Sequence, residues 1–132
     1  MTNESKRDIL VAQMKGRKMS TRASIHFKDG YSDLCIYQHG DGYPDGEHGV
    51  MAEFDRFFNW NEKSFKGMGG FRYDDPEYLA ARFIVFLATV EATQPWNGLS
   101  IAVSDGDHGD IEYRYVVECE NERRPYVSFT EV

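Results

Sequence analysis

The stretch RASIHFKDGYSDLCIYQ, residues 22–38, decides the fold. Ala23, Ile25 and Phe27 alternate with Ser24, His26 and Lys28, the period-two pattern of a strand with one apolar face. Leu34 and Ile36 alternate with Cys35 and Tyr37 in the same way. Between the two runs lies Asp29-Gly30, a strong short turn signal. Residues 22–28 and 32–38 therefore read as a β-hairpin on which the rest of the chain must pack.

Just downstream, IYQHGDGYPDGEHG (residues 36–49) leaves the second strand through four glycines and a proline. Its two histidines and its acids cannot be satisfied within regular structure, so it reads as a loop. From Val50 the period changes: Val50, Phe54, Phe57, Phe58 and Phe65 recur at helical spacing over 50–65. Asn59 and Asn61 compete for turn geometry, so fraying is expected there. GMGG at 67–70 ends the helix. A second helix opens at Asp75-Pro76-Glu77, where Asp suits the N-cap, Pro the first turn and Glu the positive end of the dipole. Leu79, Phe83, Phe86, Leu87 and Val90 give it an apolar stripe to about Ala92.

Three further strands are expected at 99–104, 111–119 and 126–131. In the middle one Ile111, Tyr113, Tyr115, Val117 and Cys119 share a face, and Glu112, Arg114, Val116 and Glu118 share the other. The order ββααβββ, with short connections, implies an α+β fold: a mainly antiparallel sheet of about five strands with two main helices on one face. The polar side of strand 111–119 should be wet or ligand-facing. Residues 20–132 read as one domain, and residues 1–19 as an arm with a possible short helix over 5–15.

The chain has 132 residues, 41% of them hydrophobic and 14% aromatic, enough for a core without staples. Fifteen basic and 22 acidic side chains give a net charge of −7, which disfavours direct nucleic-acid binding. No apolar run reaches the roughly 20 residues of a membrane span, and only Ile9–Ala12 is apolar near the start. A cytoplasmic protein with no membrane partner is expected. Cys35 and Cys119 lack metal-type spacing and read as buried free thiols.

His39, Asp41 and His48, with His108 or Asp110, match no zinc spacing, so neither metal nor cofactor is expected. Neither a nucleophile elbow nor a phosphate loop occurs, and no catalytic residues are assigned. Binding groups are better represented. Trp96 and Asn97 can stack on and hydrogen-bond a nucleobase, and Arg114, Arg123 and Arg124 offer forks for phosphate. Tyr37, His39, Asp41 and Tyr43 in the glycine-rich loop complete the candidate ligand-binding set.

Three motifs suggest a family. TRASIHF (Thr21–Phe27), IYQHGDGYPDG (Ile36–Gly46) and HGDIEYRY (His108–Tyr115) resemble a group of small phage and prophage proteins. The group looks like the first-described type of Thoeris anti-defence sponge, and the resemblance spans residues 20–118. It implies a protein that performs no catalysis. Such a protein captures a cyclic ADP-ribose isomer made by a bacterial TIR-domain immune enzyme, and some members also hold cyclic oligonucleotides. It implies a homo-oligomer with ligand pockets between subunits. The family pocket uses an aromatic, an asparagine and an arginine, which fall by order on Phe86 (with Phe83 competing), Asn97 and Arg114. Where the family motif carries Trp, this chain has Gly40. Two readings from other classes stay open: an acidic protein inhibitor using the run 105–122, and a metal-dependent hydrolase using His39, Asp41 and His48.

Overall fold

A computed structural model describes residues 21–67, 69–91 and 100–132. The expected arm (1–19) and its helix, the end of the second helix at Ala92, and Trp96 and Asn97 lie outside the described residues. The elements are β1 (Ala23–Lys28), β2 (Asp33–Gln38), α1 (Val50–Ser64), α2 (Pro76–Thr89), β3 (Ile101–Ser104), β4 (Tyr113–Glu118) and β5 (Tyr126–Glu131). The order ββααβββ is the one the sequence implies.

The strands form one sheet in the order β3-β2-β1-β4-β5. The hairpin forms, but its turn is set by the Asp29 side chain. Asp29 Oδ1 accepts from the backbone N–H of Tyr31 and of Ser32, each at 2.7 Å. Three pairings are antiparallel, and β1 with β4 is parallel. That parallel pair departs from a wholly antiparallel sheet. It arises because β3 pairs on the far side of β2, so the chain must cross the sheet to reach the open side of β1.

Ile25 lies between Ile36 and Tyr115 in register, and all three are buried on the helix side. Phe27 extends the same face into an aromatic cluster. Its ring centroid is 6.0 Å from Phe54 on α1 and 5.6 Å from Phe83 on α2, and those two stack at 4.8 Å. Full burial of one such ring contributes about 1.5–3 kcal/mol. The cap at Asp75 forms as expected, its carboxylate accepting from the Tyr78 N–H at 3.2 Å.

Helix α1 does not fray at Asn59–Asn61. Asn61 is fully buried, donates to Phe71 O at 3.0 Å and accepts from Arg82 at 3.2 Å. Partners from outside the helix thus remove the competition that asparagine usually offers the backbone.

The glycine-rich loop is anchored rather than free. Gly42 donates its N–H to Thr21 O at 2.9 Å and accepts from the buried Tyr115 hydroxyl at 2.7 Å. A Cβ on Gly42 would lie 2.8 Å from both Ala23 Cβ and Thr21 O, whereas one on Gly30 would meet nothing within 4 Å. Gly42→Ala should therefore destabilise the chain by about 1–3 kcal/mol in urea unfolding, with Gly30→Ala within about 0.5 kcal/mol of wild type. Equal midpoints for the two variants would show that the loop is not seated on β1.

Candidate functional site

A cavity opens on the helix side of the sheet where the glycine-rich loop meets α1 and the end of α2. Its volume is about 40 Å³, and its polar lining includes Gln38, Asp41, Glu53, Arg56 and Glu91. The end of β2 places Gln38 there. Gln38 donates through Nε2 to Gly40 O at 2.9 Å and Asp41 O at 3.1 Å, which folds the loop back over the cavity. Asp41 makes that turn with φ at 54°, in the left-handed region.

On the opposite wall Arg56 grips Glu91 through two N–H donors, at 3.0 and 2.9 Å, and donates to Glu47 O at 2.8 Å. Its charge is thus already engaged. Two polar atoms in this lining lack partners among the described residues: Gln38 Oε1 and Glu53 Oε1. Glu53 is only 6% exposed. Burial first, then the carboxylates of Glu91 and Asp41, push its pKa up to about 8 against the opposing pull of Arg56. At neutral pH it is a carboxylic acid that can donate as well as accept. Beside the amide oxygen of Gln38, it can meet a hydroxyl, an amide or the edge of a nucleobase.

The outer face of the sheet holds a second polar group, roofed by the β3–β4 connection. The Tyr37 ring stacks on His108 at 3.8 Å, and its hydroxyl lies 2.9 Å from His39 Nδ1 and 3.3 Å from Asp110. Arg22 reaches Asp110 at 3.2 Å. Arg114 donates through Nε to Asp107 Oδ2 at 2.7 Å. His26 sits between Asp33, 2.7 Å from Nδ1, and Asp107, 2.6 Å from Nε2. Burial alone would lower the His26 pKa, but the hydrogen bonds to Asp107 and Asp33 hold it above its ordinary value.

The candidates read from sequence are thus dispersed. Tyr37, His39 and Arg114 belong to the outer face, and Asp41 lines the cavity. Tyr43 sits in the loop, its carbonyl accepting from Val50 N at 2.9 Å. Phe86 is fully buried, 5.5 Å from both Phe57 and Trp60, and Phe83 is buried beside it. The core therefore takes both aromatics that competed for the pocket. Arg124 binds Glu62 and Asn59 on α1, and Arg123 lies in an exposed turn, so neither joins Arg114. Trp96 and Asn97 fall in the undescribed segment 92–99, yet Glu91 and Ser100, which flank it, both line the cavity.

His26, Gln38, Glu53, Arg56, Glu91 and Asp107 were not singled out in sequence. One signal was present: Glu53 interrupts the apolar stripe of α1 between Val50 and Phe57, a place where an acid is out of keeping with its neighbours. Both cysteines are free and buried, as expected. Comparison with family models, curated proteins and solved structures finds no match to this chain.

Folding raises the Glu53 pKa from 4.5 to about 8, so the folded chain holds this proton after the unfolded chain has lost it. Stability should fall as pH rises between those values and level off above them. Glu53→Gln, neutral throughout, should flatten that slope and gain at least about 1 kcal/mol over wild type near pH 9. Thermal melts from about pH 5 to about pH 9 test this; parallel curves for the two proteins would refute it.

Proposed function

We propose that the protein captures a small nucleotide-derived signal, of the cyclic ADP-ribose isomer class, and holds it without turnover. The observation that carries this reading is a pair of polar atoms, Gln38 Oε1 and Glu53 Oε1, without a partner among the described residues, in a cavity bordered by the glycine-rich loop, Glu91 and Ser100. Unsatisfied buried polar groups cost about 1–3 kcal/mol each, and a ligand that pairs with them recovers that cost on binding. The three sequence motifs that resemble the sponge family supply the ligand class.

The acidic lining shapes the mode of capture. With Arg56 committed to Glu91, the cavity suits hydroxyl and base groups better than phosphate. Its volume admits a few waters or the edge of a ring. The rest of a dinucleotide-sized signal must lie outside this cavity, which accords with a pocket completed by a second copy of the chain. The rival role as an acidic decoy would rest on the exposed acids of the run 105–122, Asp105, Glu118, Glu120 and Glu122. Asp107 and Asp110 direct their charge onto His26, Arg114 and Arg22 within the fold.

Calorimetry with cyclic ADP-ribose isomers should show saturable heat at submicromolar affinity, and the ligand should be recovered intact on denaturation. Gln38→Ala and Asn97→Ala should each weaken binding at least about tenfold, or 1.4 kcal/mol. A loss with Arg114→Ala and none with Gln38→Ala would move the site to the outer face. Absence of heat with every isomer would overturn the reading.

A further inference from the structure

The outer-face group around His26 has a chemistry that capture in the cavity does not use. A ring nitrogen of His26, Cys35 Sγ and an Asp107 carboxylate oxygen lie within 4.8 Å of one another, the one such cluster of three metal-ligating side chains among the described residues. They come from three segments: β1, β2 and the β3–β4 connection. His26 and Cys35 are register partners, so the sheet fixes two of the three. Only Asp107 rides on the crossing loop. We propose that these three side chains form a zinc-class cation site that clips the β3–β4 connection to the sheet.

The donor set suits that class. One imidazole nitrogen, one thiolate and one carboxylate are the ligands zinc takes, with a fourth position for water. The surroundings are arranged as metal sites usually are. His26 Nδ1 lies 2.7 Å from Asp33, so a carboxylate can fix the ring with Nε2 turned inward. Arg114 holds Asp107 Oδ2 at 2.7 Å and leaves Oδ1 facing His26. Cys35 Sγ is buried and reaches Gly106 O, on the same loop as Asp107, in a long contact of 3.6 Å.

Binding replaces protons. The cation takes the place of the proton shared by His26 Nε2 and Asp107, and the Cys35 thiol gives up its own, both to solvent. His26 Nε2 and Asp107 Oδ1 are now 2.6 Å apart. Ligand bonds of about 2.0–2.2 Å at a tetrahedral centre need roughly 3.3 Å between those atoms. The loop must therefore lift by less than about 1 Å, which an exposed connection can do and a central strand cannot. The site is on the opposite face of the sheet from the cavity, so its test does not depend on the nucleotide reading.

The test is titration of the chelator-treated full chain with cobalt(II), followed by zinc. Wild type should develop the charge-transfer band of a cobalt–thiolate bond and tetrahedral ligand-field bands, and zinc should abolish both. Cys35→Ser should lose the thiolate band, while Cys119→Ser, at the buried thiol beyond β4, should keep it. Asp107→Asn changes only a loop position and should weaken cobalt binding at least tenfold without altering the metal-free fold by circular dichroism. It also keeps the experiment decisive should Cys35→Ser fail to fold. No thiolate band in wild type, a band that survives in folded Cys35→Ser, or unchanged affinity in Asp107→Asn would each overturn the proposal.

Discussion

Strand β1 has to be satisfied on both sides, and the chain achieves this in an indirect way. One edge takes β2 through a four-residue turn, and the other takes β4 in parallel. Parallel neighbours cannot be joined by a tight turn, so the connection must travel. Here it leaves β3 beyond β2 and passes over the sheet on the face away from the helices. Gly106, Asp107, His108 and Asp110 touch Cys35, His26, Tyr37 and Arg22 in turn along that path. The polar face of the sheet is consequently not bathed evenly in water. Tyr37 and Cys35 are buried beneath the crossing segment, and His26 finds a carboxylate for each ring nitrogen.

The sheet therefore separates two polar regions of different character. On the helix side, the cavity contains a carboxyl group that burial keeps neutral, beside an amide oxygen with no partner among the described residues. On the outer side, opposite charges alternate and neutralise one another at short range. Half-exposed pairs such as Arg114–Asp107 contribute modestly to stability. What they fix is the path of the connecting segment. Arg56 and Glu91 are a different case, since Glu91 is buried and removing either partner would strand a charge in a poorly solvated place.

Much of the architecture was legible because local rules agreed with one another. Alternation in 22–38, the cap at Asp75-Pro76 and the phenylalanine stripe of α1 all stated the same fold that the packing adopts. The parallel pair was not legible: no local pattern says on which side of β1 the distant strand that pairs Tyr113 with Ala23 will lie. The site was legible only in part. Composition pointed to the glycine-rich loop, and Asp41 does line the cavity. The aromatic assigned by motif order, Phe86, is fully buried, because it satisfies an apolar stripe as well as it would a pocket. Arginines close in sequence, such as Arg123 and Arg124, said nothing about which side of the sheet they serve. Asn61 shows the converse, where a residue that breaks helices locally is retained by partners ten and twenty-one positions away.

The parallel pairing also bears on how the chain is built. The β1–β2 hairpin can close as soon as its turn forms, on a timescale of microseconds. Its other long edge stays bare until residue 118 has been made, because that edge belongs to β4. A nascent chain therefore carries an open row of backbone donors and acceptors through most of its synthesis, the kind of edge on which neighbouring chains nucleate aggregates. Lys28 and Asp33, a charged pair facing each other at the hairpin's end, place opposite charges beside that edge during the interval.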